Sequence, residues 1–224
     1  MSLYSDLTAH KKPKLLLALA FGVFIASVGT FASLADEVRE GGTLSFDNAV
    51  LLAINAQSSP LLDTVFVIGT NLGGVFVVAF TTAFLIAMLV LKRQYSKALL
   101  TAIIIGGTTL ANLFLKLFFE RSRPELWERL VVEQSFSFPS GHAMASMALG
   151  LTIILLTWNT RWRVLALVMS ILYIFFIAAS RLYLGVHYPT DILAGWIVSS
   201  LWVAGVTSIL YRKNIVATYN NGAV

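Results

Sequence analysis

Residues 180–191 read Ser-Arg-Leu-Tyr-Leu-Gly-Val-His-Tyr-Pro-Thr-Asp and lie between two long apolar runs. Ionised groups are costly in hydrocarbon, so a membrane-embedded chain keeps Arg181, His187 and Asp191 where they meet water, a partner or a substrate. Pro189 suits the first position of a helix, where its missing N–H would be unpaired anyway. Asp191 then falls in the first turn of that helix, with His187 just ahead. A carboxylate so near accepts a hydrogen bond from one imidazole nitrogen. That fixes the tautomer and leaves the other nitrogen free to attack or to move a proton.

Two further stretches have the same character. Lys116-Leu-Phe-Phe-Glu-Arg-Ser-Arg123-Pro124 closes an apolar run with positive charge. Alone, Lys116 reads as a lysine whose stem lies in lipid and whose head reaches water. With Arg123 seven residues on, the two share a helix face while helix persists. Two cations converging at a helix end suit a phosphate, Lys as a point charge and Arg as a planar fork. Arg121 lies between them and reads as rim charge or a structural residue. Pro139-Ser140-Gly141-His142 reads as a turn running into a helix. Ser140 is a good N-cap, and the unpaired N–H groups of a helix start bind anions. Gly141 lets the backbone approach a phosphate closely, and His142 falls in the first turn beside it. The third histidine, His10, sits in a polar amino-terminal stretch and is an ordinary surface residue.

Taken in order, the blocks are K-x6-R-P, P-S-G-H and S-R-x5-H-x3-D. This set resembles the type 2 phosphatidic acid phosphatase (PAP2) superfamily, with every motif position filled. The resemblance implies a membrane lipid phosphatase that needs no metal or other cofactor. It makes His187 the nucleophile, Asp191 its orienting partner and His142 the acid and base. It makes Lys116, Arg123, Ser140, Gly141 and Arg181 the ligands of the phosphoryl group. In the implied mechanism His187 attacks phosphorus to give a phosphohistidine while His142 protonates the leaving oxygen. Water activated by His142 then hydrolyses the intermediate.

Such residues need a scaffold, and the composition says which kind. Of 224 residues, 58% are hydrophobic and 12% charged, with mean hydropathy +0.81. A soluble domain carries about twice that charge, so the chain reads as a single all-α polytopic membrane domain, residues 1–224. No cysteine is present, which removes disulfides, thiolate chemistry and cysteine metal sites. Six apolar runs are expected to span: Leu15–Ala35, Asp63–Leu91, Ala98–Phe119, His142–Trp158, Val164–Ala179 and Pro189–Tyr211. Each approaches or exceeds the ~20 residues needed to cross the bilayer core. Ser33-Leu34-Ala35 resembles a signal-peptidase site, but the run before it exceeds a signal h-region, so the first span is expected to be retained. Between the first two runs, Ser45-Phe46-Asp47 is expected to cap a short interfacial helix, Asn48–Gln57. That segment is either a plain connector or a substrate gate.

The basic residues then orient the bundle. Ten of the sixteen Lys and Arg fall in the amino-terminus, the loops after spans two and four, and the tail. By the positive-inside rule that side is cytoplasmic and holds both termini. All three motif blocks fall on the other, extracytoplasmic side. Trp158 and Trp162 on one side, with Trp127, Tyr183 and Tyr188 on the other, are expected to form interfacial belts. The net charge of +5 is thus spent on topology and does not point to nucleic acid. Small size and short loops suggest a bacterial plasma-membrane enzyme. By family analogy the substrate is undecaprenyl diphosphate, then phosphatidylglycerol phosphate, with phosphatidic acid a further candidate. A phosphotransferase using the same site is the first alternative. A transporter is the second, but it would carry charges at span centres, whereas here they gather at span ends.

Overall fold

The computed structural model describes the backbone from Lys12 to Asn221 and the side chains from Phe21 to Leu210. The basic amino-terminal cluster, His10, Arg212 and Lys213 therefore lie outside the described side chains. The described chain is helical, with no strand: α1 (Lys12–Glu40), α2 (Leu44–Asn55), α3 (Pro60–Gly69), a 3₁₀ turn (Thr70–Gly73), α4 (Val75–Leu91), α5 (Tyr95–Phe119), α6 (Gly141–Thr157), α7 (Arg163–Tyr183) and α8 (Pro189–Asn221). By length and composition four described segments could cross a membrane: Phe21–Glu40, α5, α7 and Pro189–Leu210. α2 and the α3–3₁₀ segment, bent by 118°, together would make a fifth, and α4 and α6 are shorter apolar helices.

α6 is the hub, packed against α5, α7 and α8, while α1 lies on α8 and α4 on α5. Its buried residues are mostly small, among them Ala143, Ser146, Ala148 and Gly150. Small side chains let helix backbones approach closely where no solvent drives association. A core of Val78, Ile104, Ile105, Ala148, Leu149, Val203 and Val206 joins α4, α5, α6 and α8. The outward faces stay apolar: Phe76 and Phe80 of α4 are 87% and 75% exposed, as lipid-facing residues are.

The second span departs from expectation. Asp63–Leu91 is not one helix, because it breaks at Thr70–Gly74. Asn71 turns its amide back to the carbonyls of Val67 and Ile68, both at 3.2 Å. Gly74 then takes an extended conformation (ψ 157°) and starts α4 afresh. Gly73 packs against Ile177, where a Cβ would come within 2.7 Å. The break turns Thr70 inward. The short helix also starts earlier than expected, at Leu44 after Thr43. Asp47 does not cap it, since its carboxylate is bonded to Thr190 and Arg121.

Candidate active site

Motif residues gather at one end of the bundle, where α5 and α7 finish and α6 and α8 begin. Pro189 and Ser140 act as the sequence implies: Pro189 is the first residue of α8, and Ser140 Oγ caps α6 through the Ala143 N–H at 3.4 Å. The Ser140 N–H donates to the Asp191 carbonyl at 3.1 Å and ties the two helix starts together. Gly141 is needed for close approach, though by Asn112: a Cβ there would lie 3.0 Å from Asn112 Oδ1. Asn112 in turn donates to the Pro139 carbonyl at 3.0 Å and holds the motif turn against α5.

His187 sits in the turn between α7 and α8 and is 1% exposed. That turn needs Gly185, at φ +64°, with the Trp127 ring only 2.7 Å from where a Cβ would stand. Nδ1 of His187 is 3.3 Å from Asp191 Oδ2 and 3.4 Å from Ser137 Oγ. Nε2 is 3.2 Å from Arg123 Nη1. A guanidinium can only donate, so Nε2 carries the lone pair and Nδ1 the proton. Burial first, then the charges of Arg123, Arg181 and Lys116, push the imidazole well below its ordinary range, so the ring stays neutral. Asp191 Oδ2 also accepts from Ser137 Oγ at 2.5 Å and from the Tyr188 N–H at 2.8 Å.

Arg123 contacts this ring, and Arg181 and Lys116 act on it through their charge. α5 ends at Phe119, so Arg123 is not on the helix face of Lys116 but in the loop 120–139. They still converge, since both bind the segment Ser135–Phe136. Lys116 Nζ donates to Ser135 Oγ at 2.9 Å and to the Phe136 carbonyl, and is buried rather than reaching out to water. Arg123 donates to the Ser135 carbonyl at 2.8 Å and the Val186 carbonyl at 2.6 Å. Arg181 is 1% exposed, is held by Thr70 Oγ1 at 2.9 Å, and has a buried Nε without a partner among the described residues. His142 is half-buried on the first turn of α6, in the field of Arg181, Glu133, Arg123 and Lys116.

Glu133, which sequence reasoning passed over, bonds Arg181 and lies 3.7 Å from Arg123 Nη2. Burial raises its carboxyl, but the two guanidiniums outweigh that and hold it below the ordinary carboxylate range. Burial lowers Arg123 to about 10 in spite of Glu133. A cleft of about 380 Å³ opens here, lined by Lys116, Arg123, Glu133 and, on the lipid-facing side of α5, Leu113 and Leu117. Among the described residues no three His, Cys, Asp or Glu side chains cluster as metal ligands do. What the site offers is a set of N–H donors for an anion.

Of the two readings of Arg121 the structural one holds, and it is not rim charge: its side chain is 8% exposed and bridges Asp191 Oδ1 at 2.7 Å and Asp47 Oδ2 at 2.8 Å. Its guanidinium also stacks 4.0 Å above the Tyr188 ring. Tyr183 and Tyr188 are likewise no interfacial belt. Both are buried, Tyr188 beneath Arg121 and Tyr183 donating to Asp63 Oδ1 at 2.5 Å. Satisfying a hydroxyl or a ring face inside the protein replaces the interface in each case. Trp158 and Trp162 do stand exposed.

A helical bundle with a buried histidine, a carboxylate on its Nδ1, an arginine on its Nε2 and two further cations acting on the ring belongs to the class of membrane phosphoryl-transfer enzymes. Residues 96–215 match the model of the PAP2 superfamily, and the chain belongs to that family as a phosphatase of membrane-protein type. It is 30% identical over 178 residues to phosphatidylglycerophosphatase B of Bacillus subtilis, covering 74% of this chain and 84% of that protein. Against an undecaprenyl-diphosphatase of Sulfolobus acidocaldarius it is 35% identical over 69 residues, 31% of either chain. The crystal structure of a transmembrane PAP2-type phosphatidylglycerolphosphate phosphatase from Bacillus subtilis superposes with a TM-score of 0.77 at 27% identity, covering 84% of this chain and 96% of that one.

Proposed function

We propose that this protein hydrolyses the terminal phosphate of a membrane lipid phosphate or diphosphate through a phosphohistidine at His187. The observation that carries the reading is the neutral His187 ring, with its Nε2 lone pair turned toward Arg123 and its Nδ1 toward Asp191. A phosphoryl oxygen entering beside Arg123 takes over its N–H and frees that lone pair. Nε2 then attacks phosphorus, the P–O bond to the lipid breaks, and His142 gives its proton to the departing oxygen. Lys116, Arg123, Arg181, the cap at Ser140 and the Gly141 N–H hold the equatorial oxygens and the charge of the transition state. Water, losing a proton to His142, then cleaves the P–N bond and releases inorganic phosphate.

Glu133 marks the anion position, because its carboxylate already bridges the arginines that the phosphate would use. Phosphatidylglycerol phosphate is the favoured substrate, since the relative matched over most of its length carries that activity in its name. Undecaprenyl diphosphate is second. The topology that fits is six crossings, α1, α4, α5, α6, α7 and α8, with α2 interfacial, both termini cytoplasmic and the site extracytoplasmic in a bacterial plasma membrane. The test is phosphate release by the purified protein from these two lipids and phosphatidic acid, in EDTA. Turnover should persist under chelation. Activity abolished by EDTA and restored by Mg²⁺ would rule this chemistry out, and transfer of the phosphoryl group to a second lipid would make it a phosphotransferase.

A further inference from the structure

We infer that Arg121 and Asp47 are positioning residues for phosphoryl transfer: the guanidinium, braced by Asp47 of α2, fixes Asp191 and through it the ring of His187. This rests on the reading of His187 as nucleophile. Asp191 has two oxygens with separate duties. Oδ2 faces the His187 Nδ1 and is shared with Ser137 and the Tyr188 N–H. Oδ1 accepts from Arg121 Nη1 at 2.7 Å, which fixes the carboxylate plane and hence where Oδ2 points.

Arg121 is itself over-determined. Its second nitrogen is bound by Asp47 at 2.8 Å and by Thr43 Oγ1 at 3.3 Å, and its face lies on Tyr188. Asp47 also takes the Thr190 N–H at 3.1 Å and the Thr190 hydroxyl at 2.7 Å. Asp47 and Asp191 are both fully buried.

The charges give the pair a chemical task. When Nε2 bonds phosphorus while Nδ1 keeps its proton, the imidazole becomes cationic, and Asp191 is the carboxylate that offsets that charge. Arg121 alone would cancel Asp191 just when the ring needs it. Asp47 neutralises Arg121, so Asp191 keeps its effect on the ring and its fixed orientation together. Arg123, Arg181 and Lys116 also act on His187, and these three cations oppose the cationic ring, while His142 is neutral once it has protonated the leaving oxygen.

The test uses the full-length protein in detergent with radiolabelled phosphatidic acid, following phosphoenzyme by rapid acid quench. Arg121→Lys should slow phosphoenzyme formation by about 10² and leave KM within roughly threefold. Asp47→Asn should slow formation less, yet raise the ratio of breakdown to formation, because the cationic phosphohistidine loses its balancing charge. The neutral pair Asp47→Asn with Arg121→Gln keeps an acceptor for Thr190 and a donor within reach of Asp191 Oδ1, so it should unfold nearer the temperature of the unaltered protein than an apolar pair would, and stay slow. If that double variant regains the full rate along with its stability, the pair is only a tie between α2 and α8 and the inference fails. It fails equally if Arg121→Lys forms phosphoenzyme at the unaltered rate with label on His187. Label found elsewhere in the unaltered protein overturns the nucleophile, and the inference with it.

Discussion

At the scale of residues, the two histidines differ in what they touch, and that difference is measurable. His187 is buried with both nitrogens engaged, while His142 is half-buried at the mouth of α6. His187→Ala should abolish turnover of every substrate. His142→Ala should lose nearly all activity on phosphatidic acid, whose alcohol needs a proton to leave. It should still form phosphoenzyme with a nitrophenyl phosphate, whose leaving group does not. Acid-quench labelling should then show phosphate accumulating on His187, and label on His142 in the His187→Ala protein would reverse the roles. Acidity gives a second check. The imidazole of His187 is held well below its ordinary 6.5, so in acid the unfolded chain binds a proton that the folded one refuses. Stability should therefore be complete above about pH 6.5 and decline as pH falls below it. Thermal unfolding of the purified protein across that range should show a slope that His187→Asn flattens. The residues legible in the sequence were those whose partners lie within one block, such as His187 with Asp191. Asp47, Thr70 and Ser137 were not, because their partners stand 143, 111 and 54 residues away. Only the fold brings them together.

Elements carry the next set of consequences. The break at Thr70–Gly74 places Thr70 where its hydroxyl holds both Arg181 and Ser180. Thr70→Val keeps the volume but removes the acceptor. A second donor on a buried, 1% exposed guanidinium would then go unpaired beside Nε, which costs about 1–3 kcal/mol. A fall in turnover of on the order of tenfold, with a lower unfolding temperature, is the expected result. An unchanged kcat would show that Glu133 alone suffices to hold Arg181. Gly185→Ala is harsher. It forces a side chain into positive φ and against Trp127, so a loss of about 1–2 kcal/mol from the backbone alone should appear in thermal unfolding. The helix starts at Ser140 and Pro189 were legible because capping chemistry is local. The broken second span was not read, although Thr70-Asn71 and Gly73-Gly74 interrupt the apolar run, because the apolar stretches on either side together are long enough for one crossing.

For the whole molecule, four helix ends from α5, α6, α7 and α8 meet in one polar cluster while the outer faces stay apolar. This arrangement was legible from the alternation of apolar runs with motif blocks, and the basic residues carry the proposal for which side of the membrane it faces. The chain has no cysteine, so single replacements report cleanly. Val132→Cys, at a position 89% exposed on the motif side, should react with an impermeant reagent on intact cells. Ser96→Cys, at the opposite end, should react only after lysis. The reverse pattern would invert the topology.

The cleft at Lys116 and Arg123 has one wall of outward-facing leucines, Leu113 and Leu117, and another of polar loop. A site so placed meets its lipid in two dimensions. Its rate is then governed by how crowded the substrate is within the bilayer plane rather than by its amount per volume of buffer. Adding inert phospholipid at fixed total substrate should slow the enzyme, while diluting the vesicle suspension at fixed lipid composition should leave turnover per enzyme unchanged. The two products also part into different phases, the lipid alcohol staying in the membrane and the phosphate passing to water. The return reaction would need both to meet again at one boundary.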